Sequence, residues 1–333
     1  MKKKWGILFV LFLGLAALWG AVSKSQGQVE QTNLKIGVIT YKSNDTFVES
    51  IVTAMEQKAR QMEQETGIRI TLDLSSAQES QRTQNSQVER YLSLGYDVIC
   101  VNLVDRTDAN TVVDLATSAQ VPVIFFNREP VKEDLTRSDA IYYVGTRAEE
   151  TGRAQGELAA EAFLDGRIED KNQDGILQYV MLEGEMGHQD AIIRTEESVQ
   201  VLKESGIATQ LLASAVGNWE RSQGAALMEQ WLNQQLPIEL VLSNNDDMAL
   251  GALDALQKAG VTVPVIGIDG TEEGKEAVED GRLLATVDCN GQAQGEAIFS
   301  LAAALAQGEA IPSQWEVEED HYLWVSIDKM TDE

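Results

Sequence analysis

VPVIFFN (residues 121–127) and VPVIGID (residues 263–269) are two versions of one signal, and their settings decide the fold. Each is an apolar run that ends on a polar residue, Asn127 in the first and Asp269 in the second. Each follows a helix-like stretch. Before that stretch come DVICVN (residues 97–102) and ELVLSN (residues 239–244), which correspond position for position as far as Asn102 and Asn244. Four shared letters carry little weight alone, but the same strand–helix–strand setting twice points to two similar domains in one chain. Short apolar runs separated by helices read as strands of parallel sheets buried on both faces.

The alternation extends outward from these copies in both directions. LKIGVITY (residues 34–41) precedes a helix from about Val48 to Glu65, then IRITLDL (68–74) and a helix ending near Leu94. AIYYVG (140–145) closes that series. A second begins with a helix from about Glu149 and continues through LQYVML (177–182) and ATQLLAS (208–214) to VPVIGID, again with helices between. The fold class expected is α/β, with two doubly wound parallel-sheet domains and right-handed crossovers. In such sheets ligands sit outside the carboxyl ends of the strands, where Asn127 and Asp269 would face a shared cleft. Asn and Asp at such ends also cap turns, so each residue alone supports either reading.

At 333 residues the chain can bury two full cores. With 53 acidic against 26 basic side chains, its formal charge is −27, and no basic cluster follows Lys4. Nucleic acid is therefore not an expected partner. Lys2, Lys3 and Lys4 precede an apolar run from Trp5 to Val22, and Ala21-Val22-Ser23 has the small residues of a cleavage site. Residues 1–23 read as an export signal, or as an uncleaved membrane anchor of marginal length. Both readings place the body of the protein outside the cytoplasm, in a periplasm or an equivalent space. Cys100 lies inside an apolar strand, as a small hydrophobe would, and no disulfide with Cys289 is expected.

The residues that carry chemistry cluster after strand ends. YKSNDTF (41–47) offers Asp45 and Phe47. GHQDAIIR (187–194), opening a helix, offers His188 together with Asp190 and Arg194 on one helical face. Trp219 begins another helix, and Asn245 ends the strand before a third. Carboxylates accept from adjacent hydroxyls, Arg and Asn donate to ring oxygens, and aromatic faces stack on C–H surfaces. The mixture suits an uncharged polyol. Neither G-x-G-x-x-G nor a P-loop is present, nor any G-x-S-x-G or H-E-x-x-H motif, so the expectation is a binding protein and not an enzyme.

DKNQDGILQ (170–178) is the remaining signal. Asp170, Asn172 and Asp174 hold the first, third and fifth places of an EF-hand calcium loop, with Gly175 at the sixth. Ile176 supplies the backbone carbonyl at the seventh, and Gln178 takes the ninth. The twelfth is Met181 where a bidentate glutamate belongs, and a strand follows in place of a second helix. The loop asks for Ca2+ but does not say what closes the site.

Taken together and in order, YKSNDTF, VNLVD, VPVIFFNREP, YYVGT, DKNQDG, GHQDAIIR, NNDDMALGA and VSIDK resemble the glucose/galactose-binding proteins of bacterial ABC sugar transporters. The resemblance runs from about Lys35 to Lys329. It implies the type I periplasmic binding protein architecture, two lobes joined by a three-segment hinge and closing on a monosaccharide. Residues 30–146 with 290–321 would form the first lobe, and 147–289 with 322–333 the second. By matching positions, Asp45, Asn127, His188, Asp190, Arg194, Asn245 and Asp269 are implied to hydrogen-bond the sugar, and Phe47 and Trp219 to stack on it. Cys289, in TVDCNG, stands where the family uses an asparagine, with Asn290 beside it as a substitute. The resemblance also closes the calcium loop, through Glu239. It implies delivery to an ABC permease, with a chemoreceptor or sensor kinase as the alternative partner; paired carboxylates with a sugar ligand also describe a glycoside hydrolase, the less favoured activity. A sugar-responsive repressor would need a basic DNA-binding segment where this chain has its apolar run.

Overall fold

The structure is a computed structural model, and it describes residues 33–319 and 321–331. The segment read as a signal or anchor lies outside the described residues. Among those described, no helix is long and apolar enough to cross a membrane.

The first lobe is built from β1 (Asn33–Thr40), α1 (Thr46–Thr66), β2 (Arg69–Ser76), α2 (Gln81–Ser93) and β3 (Val98–Val101), then α3 (Ala109–Ala119), β4 (Val123–Phe126), a one-turn α4 (Lys132–Leu135) and β5 (Ile141–Gly145). The second repeats the plan with α5 (Ala148–Leu164), β6 (Ile176–Glu183), α6 (Gln189–Glu204), β7 (Ala208–Val216), α7 (Arg221–Asn233) and β8 (Leu240–Ser243), then α8 (Asp246–Ala259), β9 (Val265–Ile266), α9 (Glu272–Glu279) and β10 (Ala285–Asp288). The strand orders are β2-β1-β3-β4-β5 and β7-β6-β8-β9-β10, the same path twice, and the pairs within them are parallel. Both copies of the VPVI signal occupy the same place in their sheets, as β4 and β9. β3, β4, β8 and β9 are fully buried, which is why their sequences are continuous apolar runs without alternation.

The chain crosses between lobes after β5, again after β10, and finally before β12 (Asp328–Thr331). α10 (Gly291–Gln307) returns to the first lobe and lies against α1 so closely that a Cβ on Gly295 would meet Ile51 O at 2.3 Å. β11 (Tyr322–Trp324) then adds to the edge of the first sheet beside β5. The last boundary expected from sequence, at 321/322, is therefore misplaced: residues 322–324 belong to the first lobe because their backbone pairs in parallel with Tyr143–Gly145. Only β12 crosses to the second sheet, antiparallel to β10. Both sheets point their carboxyl ends toward the space between the lobes, at the switch point of each strand order.

Candidate ligand-binding site

Each strand end delivers a polar group, and the helix that follows fixes it. Asp45 is the N-cap of α1: one carboxylate oxygen accepts from Val48 N (3.0 Å) and the other from the Tyr41 hydroxyl (2.6 Å). His188 caps α6, its Nδ1 accepting from Asp190 N at 3.2 Å, which leaves the proton on Nε2. Asn245 caps α8 through Oδ1, while its amide donates to Trp219 O at 3.2 Å. Capping does not remove these side chains from the cleft, since Asp45, His188 and Asn245 all line the same cavity.

Asn127 and Trp219 adopt left-handed backbone conformations, with φ of 60° and 66°. Such angles are uncommon outside glycine and mark positions over-determined by their surroundings. For Asn127 the surroundings are Asn102, which donates to its Oδ1 (3.0 Å), and Tyr143, whose hydroxyl donates to its carbonyl (3.1 Å). Trp219 lies across Gly184, where a Cβ would come within 2.0 Å of the indole, and meets His188 edge-on at 5.2 Å. The edge contact aims the two rings at one space.

That space is a pocket between the lobes. Asp45, Phe47 and Asn127 line it from the first lobe, and His188, Asp190, Arg194, Trp219, Asn245 and Asp269 from the second. About 380 Å³ is empty within it and at its mouth, open solvent included. Sequence reasoning missed Tyr41 and Arg128, which complete the lining. Both abut residues it had found, Arg128 directly after Asn127 and Tyr41 at the end of β1. The Arg128 guanidinium stacks 3.6 Å over the Tyr41 ring, and this pair forms the first-lobe wall.

Cys289 does not line the pocket. It is fully buried behind Arg194, with Sγ 3.9 Å from Nη2, and its backbone N–H donates to Asp269 O at 3.0 Å. Asn290, the substitute, is turned away as the N-cap of α10, accepting from Ala293 N at 3.0 Å. Cys100 lies in β3 of the first lobe, far along the fold from Cys289, and both are free thiols.

Arg194 organises the electrostatics. It donates to Asn244 O at 2.9 Å and to Asp269 at 3.4 Å, and stands 3.9 Å from Asp190. Its Nε is buried without a protein partner. A guanidinium beside Asp190 favours its ionised form. Burial overrides it: the Asp190 carboxyl is pushed up to about 6, with Arg194 opposing, and Asp269 is raised well above the carboxylate range for the same reason. His188 is driven well below its usual value, first by burial and then by Arg128 and Arg194, so its imidazole is neutral. The pocket is short of hydrogen-bond donors for its carboxylates, a demand that hydroxyl groups meet.

The lobes also touch directly around the pocket. Lys42 pairs with Glu220, Thr46 Oγ1 donates to Asp247 (2.8 Å), Arg128 pairs with Glu185 (2.6 Å), and Gln189 donates to Glu129 (3.0 Å). Each contact joins one lobe to the other, so the conformation is closed.

A family model described as a periplasmic binding protein domain matches residues 36–310. The chain belongs to that family. Among periplasmic binding proteins it is 34% identical over 301 residues to a D-galactose/methyl-galactoside binding periplasmic protein of Haemophilus influenzae, covering 89% of each chain. It is 31% identical over 281 residues to a putative rhizopine-binding protein of Rhizobium meliloti, covering 83% of this chain and 85% of the relative. A solute-binding protein of an ABC transporter from Bacillus halodurans, solved with bound myo-inositol, superposes with a TM-score of 0.75 at 29% identity, covering 91% and 96%. As a periplasmic binding protein, the chain is a binding component of transport and not an enzyme.

The 170–178 loop lies at the start of β6, away from the pocket. Asp170 accepts from Asp174 N (3.2 Å) and Gly175 N (2.8 Å), and Asp174 from Ile176 N (2.8 Å). Asn172 and Gln178 both donate to Asp174, at 2.9 and 3.0 Å. Glu239 reaches the loop as the resemblance implied: it is buried, and its two oxygens accept from Lys171 N (2.7 Å) and Gln178 N (2.9 Å). The carboxylates are thus occupied by backbone donors, and among the described residues no three His, Cys, Asp or Glu side chains are grouped to hold a metal. One atom is left over. Gln178 Oε1 is buried and has no partner.

Proposed function

We propose that this protein captures a monosaccharide of the glucose/galactose type between its closing lobes and delivers it, chemically unchanged, to the permease of an ABC transporter. The observation that carries the reading is the shared pocket. Phe47 and Trp219 reach it from opposite lobes, with neutral His188, Arg194 and three carboxylates between them. Stacking rings on either side of a ring of donors and acceptors complement a sugar's apolar faces and hydroxyl rim. The two buried carboxylates share one guanidinium, an arrangement for accepting hydroxyl hydrogens, whereas glycoside hydrolysis needs a pair flanking the bond to be cut. Relatives named for galactose and, in solved form, for an inositol support a polyhydroxylated six-membered ring.

Calorimetric titration with a panel of hexoses and pentoses tests this, followed by recovery of the ligand. Binding of at least one hexose, recovered intact, is expected; a released product, or silence across the panel, would sink the proposal. Loss of hexose uptake on deletion of the gene supports the permease as partner. Intact uptake with lost sugar signalling would replace it by a chemoreceptor or sensor kinase.

The same reading gives the 170–178 loop to Ca2+. The donor set is all oxygen, and the unpartnered Gln178 Oε1 is what a hard cation would engage. Asp170, Asn172, Asp174, the Ile176 carbonyl, Gln178 and Glu239 would hold it. The ion would supply a cross-link between the loop and the start of β8, a structural role with no part in sugar recognition.

A further inference from the structure

Asp269 lines the pocket on a strained backbone. Its φ of 124° lies where residues with a side chain are rarely found, a conformation that persists only when the surroundings impose it. One side of the residue is fixed by β10: Asp269 N donates to Val287 O (2.8 Å), and Asp269 O accepts from Cys289 N (3.0 Å). The other side turns through Gly270, at φ 67°, to Thr271. Both donors of Thr271, its N–H (2.8 Å) and its hydroxyl (3.2 Å), go to Oδ2 of Asp246.

Asp246 is the first residue of α8, directly after Asn245. It is fully buried and is not among the residues that line the pocket. Its Oδ1 accepts from the Thr286 hydroxyl in β10 at 2.6 Å. One carboxylate therefore joins three strand ends: the end of β8 through its own backbone, the turn after β9 through Thr271, and β10 through Thr286. Two of those ends carry pocket residues, Asn245 and Asp269. The oxygens are hemmed in as well. A Cβ on Gly267 would come within 2.2 Å of Oδ1, and one on Gly274 within 2.2 Å of Oδ2. A buried carboxylate so held is costly to move, because each of its donors would be left without a partner.

Resting on the monosaccharide reading, we propose that Asp246 is a positioning residue of the sugar site: without touching the ligand, it holds the backbone of Asp269 in register with Asn245. The test is calorimetric titration of the full protein and its variants with the hexose that the native protein binds most tightly. Each variant is first shown to be folded by circular dichroism and is studied well below its melting temperature. Asp246→Ala should weaken binding by about tenfold or more, since the released strain moves Asp269 from the place it holds for the ligand. Asp246→Asn should stay within about threefold, because its amide oxygen still accepts from Thr271 and its amide nitrogen donates to the Thr286 hydroxyl. Gly274→Ala, inside α9, favours the helix but pushes the carboxylate aside, and should weaken binding by about threefold or more. Leu256→Ala, a core truncation on α8, should lower the melting temperature and leave affinity within about twofold. In sugar-free protein, amide exchange at Cys289, whose N–H bonds Asp269 O, should quicken in Asp246→Ala and not in Asp246→Asn. Native affinity in folded Asp246→Ala, or an equal loss in Leu256→Ala, would overturn the proposal. The strand ends would then be left to Gln155 on α5, whose amide donates to Ser243 O (2.7 Å) and Ile266 O (3.1 Å). If Asp246→Ala does not fold, native affinity in Gly274→Ala overturns the proposal in its place. A native protein that binds no hexose ends the monosaccharide reading, and unchanged exchange at Cys289 then overturns the positioning role on its own.

Discussion

Trp219 holds a left-handed backbone so that its indole can lie over Gly184 and face the pocket. Trp219→Ala should weaken hexose binding by about 1–3 kcal/mol through lost apolar contact and stacking, read by calorimetry. Asp190 gives a sharper test, because its carboxyl is raised to about 6. A group that holds its proton more tightly when folded adds stability at low pH and loses it as pH rises through that value. A sugar hydroxyl donating to Asp190 favours the charged form, so ligand binding at pH 5 must expel a proton. Melting temperature without sugar and affinity for sugar should therefore run in opposite directions between pH 7 and 5. Affinity should fall by at most about tenfold per pH unit below 6, with proton release visible as a buffer-dependent binding enthalpy. A flat affinity profile would show that Asp190 is ionised before the sugar arrives. At Cys289 the amide of Cys289→Asn would offer Arg194 a new acceptor and shift the guanidinium; preference between epimers should change, and an unchanged panel would mean that Asn244 O and Asp269 alone fix Arg194. The pocket residues were legible because each lies at a strand end or at the start of the helix that follows, positions readable from apolar runs. The balance between burial and Arg194 was not, since it depends on how much water the closed lobes exclude.

Among the elements, the loop before β6 is the one whose sequence says most and whose geometry qualifies it. The spacing of Asp170, Asn172 and Asp174 was readable by eye. That their oxygens take backbone N–H groups was not; Glu239 came from the resemblance and not from spacing, and the sheet that sets β8 next to β6 is what brings it to the loop. Glu239 is anchored by two backbone donors. Glu239→Gln should then cost about 1–3 kcal/mol of stability even in chelator, through the weakened charge-assisted bonds. Calcium should raise the melting temperature of the native protein and raise that of the variant less. Equal calcium shifts in both would remove Glu239 from the ion's ligands. Hexose affinity should change little in either case, since no pocket residue belongs to the loop. β9 is only Val265–Ile266, and β10 and β12 were not read from the sequence, whereas β1 to β8 were legible to within about two residues. β11 was not, because Tyr322–Trp324 is too short to show a period, and only its pairing with β5 assigns it to a lobe.

At the scale of the molecule, closure rests on contacts between half-exposed partners. The Glu220 and Glu185 side chains are 45% and 42% exposed, so each pair contributes little, on the order of 0–1 kcal/mol. Glu185→Gln and Glu220→Gln should each change hexose affinity by less than about threefold, while the double variant opens the sugar-free protein, seen as a larger radius of gyration in solution scattering that saturating hexose reverses. No change in the double variant would leave closure to the hinge alone. The repeated strand order was foreshadowed by two copies of VPVI, but the three crossings came from resemblance, since periodicity is silent about which lobe a returning segment joins. Those crossings also set an order of events during synthesis. The five parallel strands of the second sheet lie in one unbroken stretch, residues 176–288, whereas the first sheet waits for α10 and β11. Until α10 arrives, Phe47, Val48, Ile51 and Met55 on α1 have no cover, because the helix that packs on them is encoded after the whole second lobe. A chain ending at residue 290 should show slow amide exchange in β6, β8 and β9 and fast exchange in β1 and β3. The half of the protein that leaves the ribosome first is thus the half that finishes folding last.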